Sequence, residues 1–148
     1  MAITGTGTEQ DPFVVHSYSE FASLSGHKPV ADASVHIKWF DEPNQVLDCN
    51  DYGSEFKWGA FTDNAGISGT VTFYIDLNGC TIKNFLIADG VTMFAGHYYS
   101  VNGNLGKIII SNGSIRNVFM GSATSKVCGD YVEFHGVSIS INFSGAVT

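Results

Sequence analysis

Four carboxylates in the second half of the chain, Asp76, Asp89, Asp130 and Glu133, are the residues from which hydrolytic chemistry would be assembled. A glycosidase needs two carboxyl groups about 5 to 10 Å apart, flanking the bond to be cleaved. The spacing of these four fixes no such pair, and Asp89 and Asp130 adjoin glycines, where acids are ordinary turn residues. A lyase would instead need carboxylate-held calcium and a basic residue to take the proton. Lys83 and Arg116 each follow an isoleucine, Ile82 and Ile115, so they align as a solvent-facing column rather than as a catalytic pair. Asp41, Glu42, Asp48, Asp51, Glu55 and Asp63 cluster earlier in the chain, but Asp48, Asn50 and Asp51 lack the 1, 3, 5 and 12 spacing of a calcium loop. They read as solvated loop acids.

The five histidines, His16, His27, His36, His97 and His135, show no metal-ligand spacing, and there is no nucleophile elbow or phosphate-cradling glycine loop. Cys49, Cys80 and Cys128 form no CxxC pair, which argues for small buried hydrophobes in a reducing compartment. No catalytic residue, metal ligand or cofactor is therefore assigned, and the chain is expected not to be an enzyme. Binding is a different matter. Trp39, Trp58, Phe94, Tyr98 and Tyr99 are the residues from which a subunit interface or a glycan platform would be drawn. Tyr98 and Tyr99, adjacent in a strand, would face opposite sides, whereas Trp39 and Trp58 read first as core.

Charge narrows the partners. Seven basic residues against fourteen acidic ones leave a net charge of −7, with Arg116 the single arginine, which argues against a nucleic-acid partner. Apolar runs such as Ile108-Ile109-Ile110 are strand length, far short of the about 20 residues that a membrane helix requires. Met1-Ala2-Ile3-Thr4-Gly5 does not read as a secretion signal. Charged residues are only 14% of the chain, so much of the surface is Ser, Thr, Asn and Gly, or is covered in an assembly.

The elements that must position these residues repeat. Leu77-Asn78-Gly79-Cys80-Thr81-Ile82-Lys83-Asn84-Phe85 is followed by Ser111-Asn112-Gly113-Ser114-Ile115-Arg116-Asn117-Val118-Phe119 and, more loosely, by Phe134-His135-Gly136-Val137-Ser138-Ile139-Ser140-Ile141-Asn142-Phe143. The anchoring isoleucines, Ile82, Ile115 and Ile139, stand 33 and 24 residues apart. Intervals of this size belong to units that cannot bury an apolar face alone and must stack. The alternating, β-branched composition predicts strands, although Asn-Gly ordinarily marks a hairpin. The expected fold is all-β: a short, single-stranded, right-handed parallel β-helix, favoured over a hairpin sandwich. Residues 1–30 would form a loose Gly/Thr lead, a strand from Phe13 to His16, and a capping helix opened by Ser17-x-x-Glu20, with Tyr18, Phe21 and Leu24 on one face. Residues 31–148 would form the coils, in one structural domain. Part of the stretch from Val91 to Val101 would add a strand and the remainder would project as a loop.

Gly5-Thr6-Gly7-Thr8-x-x-Asp11-Pro12-Phe13-Val14-Val15, with Glu20-Phe21, resembles the entry segment of β-helical repeat proteins of bacterial surfaces and bacteriophage virions. Val35-His36-Ile37-Lys38-Trp39, Val46-Leu47-Asp48-Cys49-Asn50 and Trp58 resemble the next part of that pattern, and Asp76-Leu77-Asn78-Gly79-Cys80-Thr81-Ile82-Lys83-Asn84 looks like its D-x-N-G-x-T-I-x-N coil. The resemblance covers most of residues 5–120. It implies a structural virion protein made in the host cytoplasm, foremost a capsid decoration or cement protein forming a trimeric knob on a major capsid protein. The alternatives are a tail, baseplate or adhesin component that meets host polysaccharide and, last, a polysaccharide-cleaving enzyme.

Overall fold

The computed structural model describes residues 2–24, 34–51, 58–59, 70–99 and 104–142, and for residues 50, 51, 58, 59, 97–99, 104 and 142 the backbone alone. Within them the chain is all-β apart from one helix of 6 residues. Strands β1 (Phe13–Val15), β2 (Ser34–Trp39), β5 (Thr70–Asp76), the first half of β9 (Asn104–Met120) and the start of β11 (Val132–Asn142) pair in that order, all parallel. A second parallel ladder runs through β3 (Val46–Asp51), β6 (Thr81–Ile87) and the second halves of β9 and β11. A third joins β4 (Trp58–Gly59), β7 (Thr92–Ala95) and β10 (Lys126–Cys128). Strands β9 and β11 belong to both of the first two ladders, so the sheet curls between them. Beyond β7, in place of the expected projecting loop, His97–Tyr99 forms β8, paired antiparallel with Asn104–Gly106.

The isoleucine spacing translates directly into register. Ile82 pairs with Ile115, and Ile115 with Ile139. Because parallel strands stack like positions on like, each inward position must be apolar in every strand of its column. Val35, Phe73 and Ile108 form one such column; Ile37, Ile75 and Ile110 form the next, each residue at most 2% exposed. Phe85 and Val118 continue the core across the second ladder, and Met93 and Phe94 close it from the third. Each fully buried side chain of this size contributes about 1.5 to 3 kcal/mol relative to exposure.

The bends need backbone that most residues avoid. At the turn from the first ladder to the second, Asn44, Asn78, Gly79, Asn112 and Gly136 all have φ between 56° and 69°. Asn and Gly tolerate this left-handed region best. The Asn-Gly pair at 78 and 79 therefore makes a corner rather than a hairpin: the strands it joins, β5 and β6, lie in different ladders. Gly113 has another reason to be glycine, since a Cβ there would lie 2.4 Å from Cβ of Leu77.

Asn84 and Asn117, with φ of 64° and 54°, repeat the left-handed geometry inside the second ladder. Their side chains bond along the stack: Asn84 Nδ2 donates to Asp48 Oδ1 at 2.8 Å, and Asn117 Nδ2 donates to Asn84 Oδ1 at 2.6 Å. In β11 the register shifts, Ile139 facing Ile115 but Ile141 facing Val118, and the Asn117 backbone N–H donates to Ser140 Oγ at 3.4 Å. The third copy reads as looser because it lacks this extra residue.

At the start of the chain the expected loose lead is instead pinned. The backbone N–H groups of Thr6 and Gly7 both donate to the Asp11 carbonyl, and the Gly7 carbonyl accepts from His36 N–H at 2.8 Å. Gly5 and Gly7 make this possible with φ of 90° and 84°, the tight approach leaving no room for side chains. Helix α1 (Tyr18–Ser23) follows, capped as expected by Ser17, whose hydroxyl accepts from Glu20 N–H at 3.2 Å. Phe21 is buried against Trp39, ring centroids 5.2 Å apart. His16 ties the helix down, Nδ1 lying 3.2 Å from Glu20 Oε2 and Nε2 lying 2.9 Å from Asp41 Oδ2.

The asparagine column is testable by separating its two contributions. Asn117→Ala loses a side-chain hydrogen bond and places a Cβ in the left-handed region, so it should destabilise the fold by about 2 kcal/mol. Asn117→Gly loses only the bond and should cost about half as much. Urea denaturation of both variants decides this, and equal losses would remove the backbone contribution.

Candidate functional site

Along β2 the side chains alternate inward and outward, and the outward set is Ser34, His36 and Lys38. Strand β5 places Tyr74 beside His36 and Asp76 beside Lys38. The two rings stack at 4.6 Å with an interplanar angle of 9°, and Tyr74 is 38% exposed. Ser111 follows Asp76 in the next strand, and Asn112 stands at the bend. The pinned lead contributes Glu9 and Pro12. Together these residues line an open groove of about 610 Å³ on the outer face of the first ladder.

Asp76 is held in place by its neighbours. Its Oδ1 accepts from the Asn78 backbone N–H at 2.7 Å and from Asn112 Nδ2 at 3.3 Å. By contrast, the Lys38 ammonium, the Glu9 carboxylate and the Tyr74 hydroxyl have no hydrogen-bond or ion-pair partner among the described residues. The side chains of Lys83, Arg116 and Lys126 likewise have none, whereas at two other places on the surface polar side chains pair along the stack. Asp89 accepts from Ser122 and Thr124 hydroxyls, and Lys107 pairs with Glu133, which also lies 3.5 Å from His135 Nε2.

The four candidate carboxylates thus fall in different settings. Asp76 lies in the groove, Asp89 at a corner, Glu133 beside Lys107, and Asp130 in a second hollow of about 570 Å³ with Lys126, Cys128 and Tyr131. Lys83 and Arg116 are neighbours in register, as their alignment with the isoleucines requires, and Asp48 stands next to Lys83. Among the described residues, no group of three or more His, Cys, Asp or Glu side chains is placed to hold a metal ion. Asp41, Glu42 and Asp48 are exposed; Glu55 and Asp63 lie outside the described residues.

The aromatic candidates whose side chains are described are both buried. Trp39 and Phe94 are 0% and 2% exposed, so neither offers a ring at the surface. Trp58 pairs with Phe94, Tyr98 with Leu105 and Tyr99 with Asn104, and the side chains of Trp58, Tyr98 and Tyr99 lie outside the described set. His27 also falls outside it. Sequence reasoning missed the His36 and Tyr74 pair. The signal was the shared apolar-polar alternation of Val35-His36-Ile37 and Phe73-Tyr74-Ile75, legible only once the two strands are set in register.

Among the described residues, two carboxyls carry a displaced titration. The hydroxyls of Ser122 and then Thr124 hold Asp89 below the usual carboxylate range, and the Lys107 hydrogen bond does the same for Glu133. A carboxyl depressed in the folded state stabilises above its unfolded range, and that stabilisation disappears as pH falls through the folded value. Burial pushes the Cys80 thiol up, whereas Cys128 is exposed.

No protein-family model matches the chain, nor does any curated protein or solved structure.

Lys107→Ala should return the Glu133 midpoint towards the ordinary range and reduce its part in acid destabilisation. Carboxyl carbon NMR across an acid titration checks this, and an unmoved midpoint would refute the Lys107 assignment. With a thiol reagent, Cys128 should react in the native protein and Cys80 only on unfolding.

Proposed function

We propose that the chain is a short, single-stranded, right-handed parallel β-helix serving as a non-enzymatic structural protein of a bacteriophage virion, foremost a capsid decoration or cement protein that forms a trimeric knob. Support for the helical winding comes from the order in which the chain visits the ladders. It passes first, second and third through β2, β3 and β4, then again through β5, β6 and β7, and again through β9 and β10. Parallel strands joined by crossovers in this way wind right-handed in nearly all proteins.

The observation that carries the assembly reading is the contrast between the two ends. Helix α1 closes the first end, with Phe21 buried on Trp39. At the other end β11 pairs, among the described residues, with β9 alone, and its inward row of Val132, Phe134, Val137, Ile139 and Ile141 is half-buried. Among the described residues, the large apolar side chains exposed elsewhere, Val46, Tyr74 and Tyr131, lie in no common column. Three copies converging on a threefold axis would cover the apolar row of β11. The local bonding of Asp89 and Glu133 favours a structural role for those acids over a catalytic one.

Light scattering at micromolar concentration should give a mass near three times 15.9 kDa. The full-length trimer should then co-sediment with shells of the major capsid protein. Ile139→Ser should shift the mass towards monomer while preserving the β signal in circular dichroism. A wild-type monomer that leaves shells unbound would overturn this reading.

A further inference from the structure

We infer that the groove over the first ladder binds a neutral, polyhydroxylated chain, that is, an uncharged oligosaccharide. The inference is independent of how subunits assemble. The groove presents both signs of charge, Lys38 from β2 against Glu9 and Asp76. An anionic ligand meets the two carboxylates and a cationic one meets the ammonium, so neither sign gains consistently along it. A peptide adding as a strand needs an open sheet edge, and this groove lies on the face of β2 and β5, whose backbone groups are already paired.

What remains is a ligand that alternately donates and accepts hydrogen bonds. Vicinal hydroxyls do both, and the groove offers partners of each kind: the Lys38 ammonium as donor, the Glu9 carboxylate as acceptor, and the Tyr74 hydroxyl as either. These groups lack partners among the described residues, and they differ from other unpartnered surface charges such as Lys83 and Arg116 in lining one groove with an ordered aromatic pair. Asp76 is fixed by Asn78 and Asn112, and the stacked His36 and Tyr74 rings are already ordered, so little conformational freedom is lost on binding. The rings also supply apolar surface for the C–H faces of a sugar. An open groove of this kind implies weak binding, with a dissociation constant on the order of 1 mM.

The test is an NMR titration of the full ¹⁵N-labelled chain with cellohexaose, maltohexaose and xylohexaose, using oligogalacturonate as a charged comparison. At least one neutral hexamer should produce saturable shifts confined to His36, Lys38, Tyr74, Asp76 and Asn112. Tyr74→Ala should weaken that binding about tenfold. Lys38→Ala, exchanging one outward side chain, provides a second reading should the tyrosine variant fold poorly. Tyr131→Ala, in the other hollow, should leave binding unchanged. Absence of saturable shifts with all three neutral sugars, a response to oligogalacturonate alone, or full binding by the Lys38 variant would overturn the assignment. A failed trimer measurement leaves this result unaffected, because the shifts are read within one chain.

Discussion

Everything in this molecule depends on parallel backbone pairing that sets like positions over like. Once Ile82, Ile115 and Ile139 share a register, every flanking residue is placed in a column with a fixed environment. Inward columns must then be apolar throughout, because one polar member would be buried without a partner at a cost of about 1 to 3 kcal/mol. Corner columns must tolerate positive φ, and they hold mostly Asn or Gly, with Phe40 and Tyr131 as exceptions beside strand ends. The asparagines do more than tolerate the backbone: between strands their amides continue the hydrogen bonding that the bulge interrupts, from Asp48 through Asn84 to Asn117.

Stacking leaves two ends, and the chain treats them differently. The first is closed by a lead and a helix, whose side chains must satisfy both packing and charge. Phe21 fills the space over Trp39, while His16 bridges Glu20 on the helix and Asp41 at the end of the first ladder. Two buried polar atoms, Trp39 Nε1 and Glu20 Oε1, lack partners among the described residues, so apolar packing prevails over hydrogen bonding at this end. The other end leaves a half-buried apolar row on β11.

The outer surface follows from the same register. Side chains that meet along the stack satisfy one another, as Lys107 and Glu133 do. Where the lead crosses β2, that pattern is interrupted, and Glu9, Lys38 and Tyr74 remain available beside an ordered Asp76. The groove is thus a consequence of how the first end is closed, and it ties the binding proposal to the same residues that fix the lead.

The strand class, the isoleucine register, the capping serine and the paired alignment of Lys83 with Arg116 were all legible in the sequence alone, because each rests on local periodicity or on a repeat visible within some thirty residues. The lead was misread as loose: its glycines signal freedom in sequence, and only the bond from His36 to the Gly7 carbonyl shows that they permit a close approach. Trp39 read first as core, and its burial with that of Phe94 came with the enclosure of both by the ladders. The meeting of His36 with Tyr74 was beyond local reading, since the two lie 38 residues apart and only strand pairing decides which outward side chain stands beside which. Periodicity determines which face a residue takes; tertiary register determines its neighbour, and a site is made of neighbours.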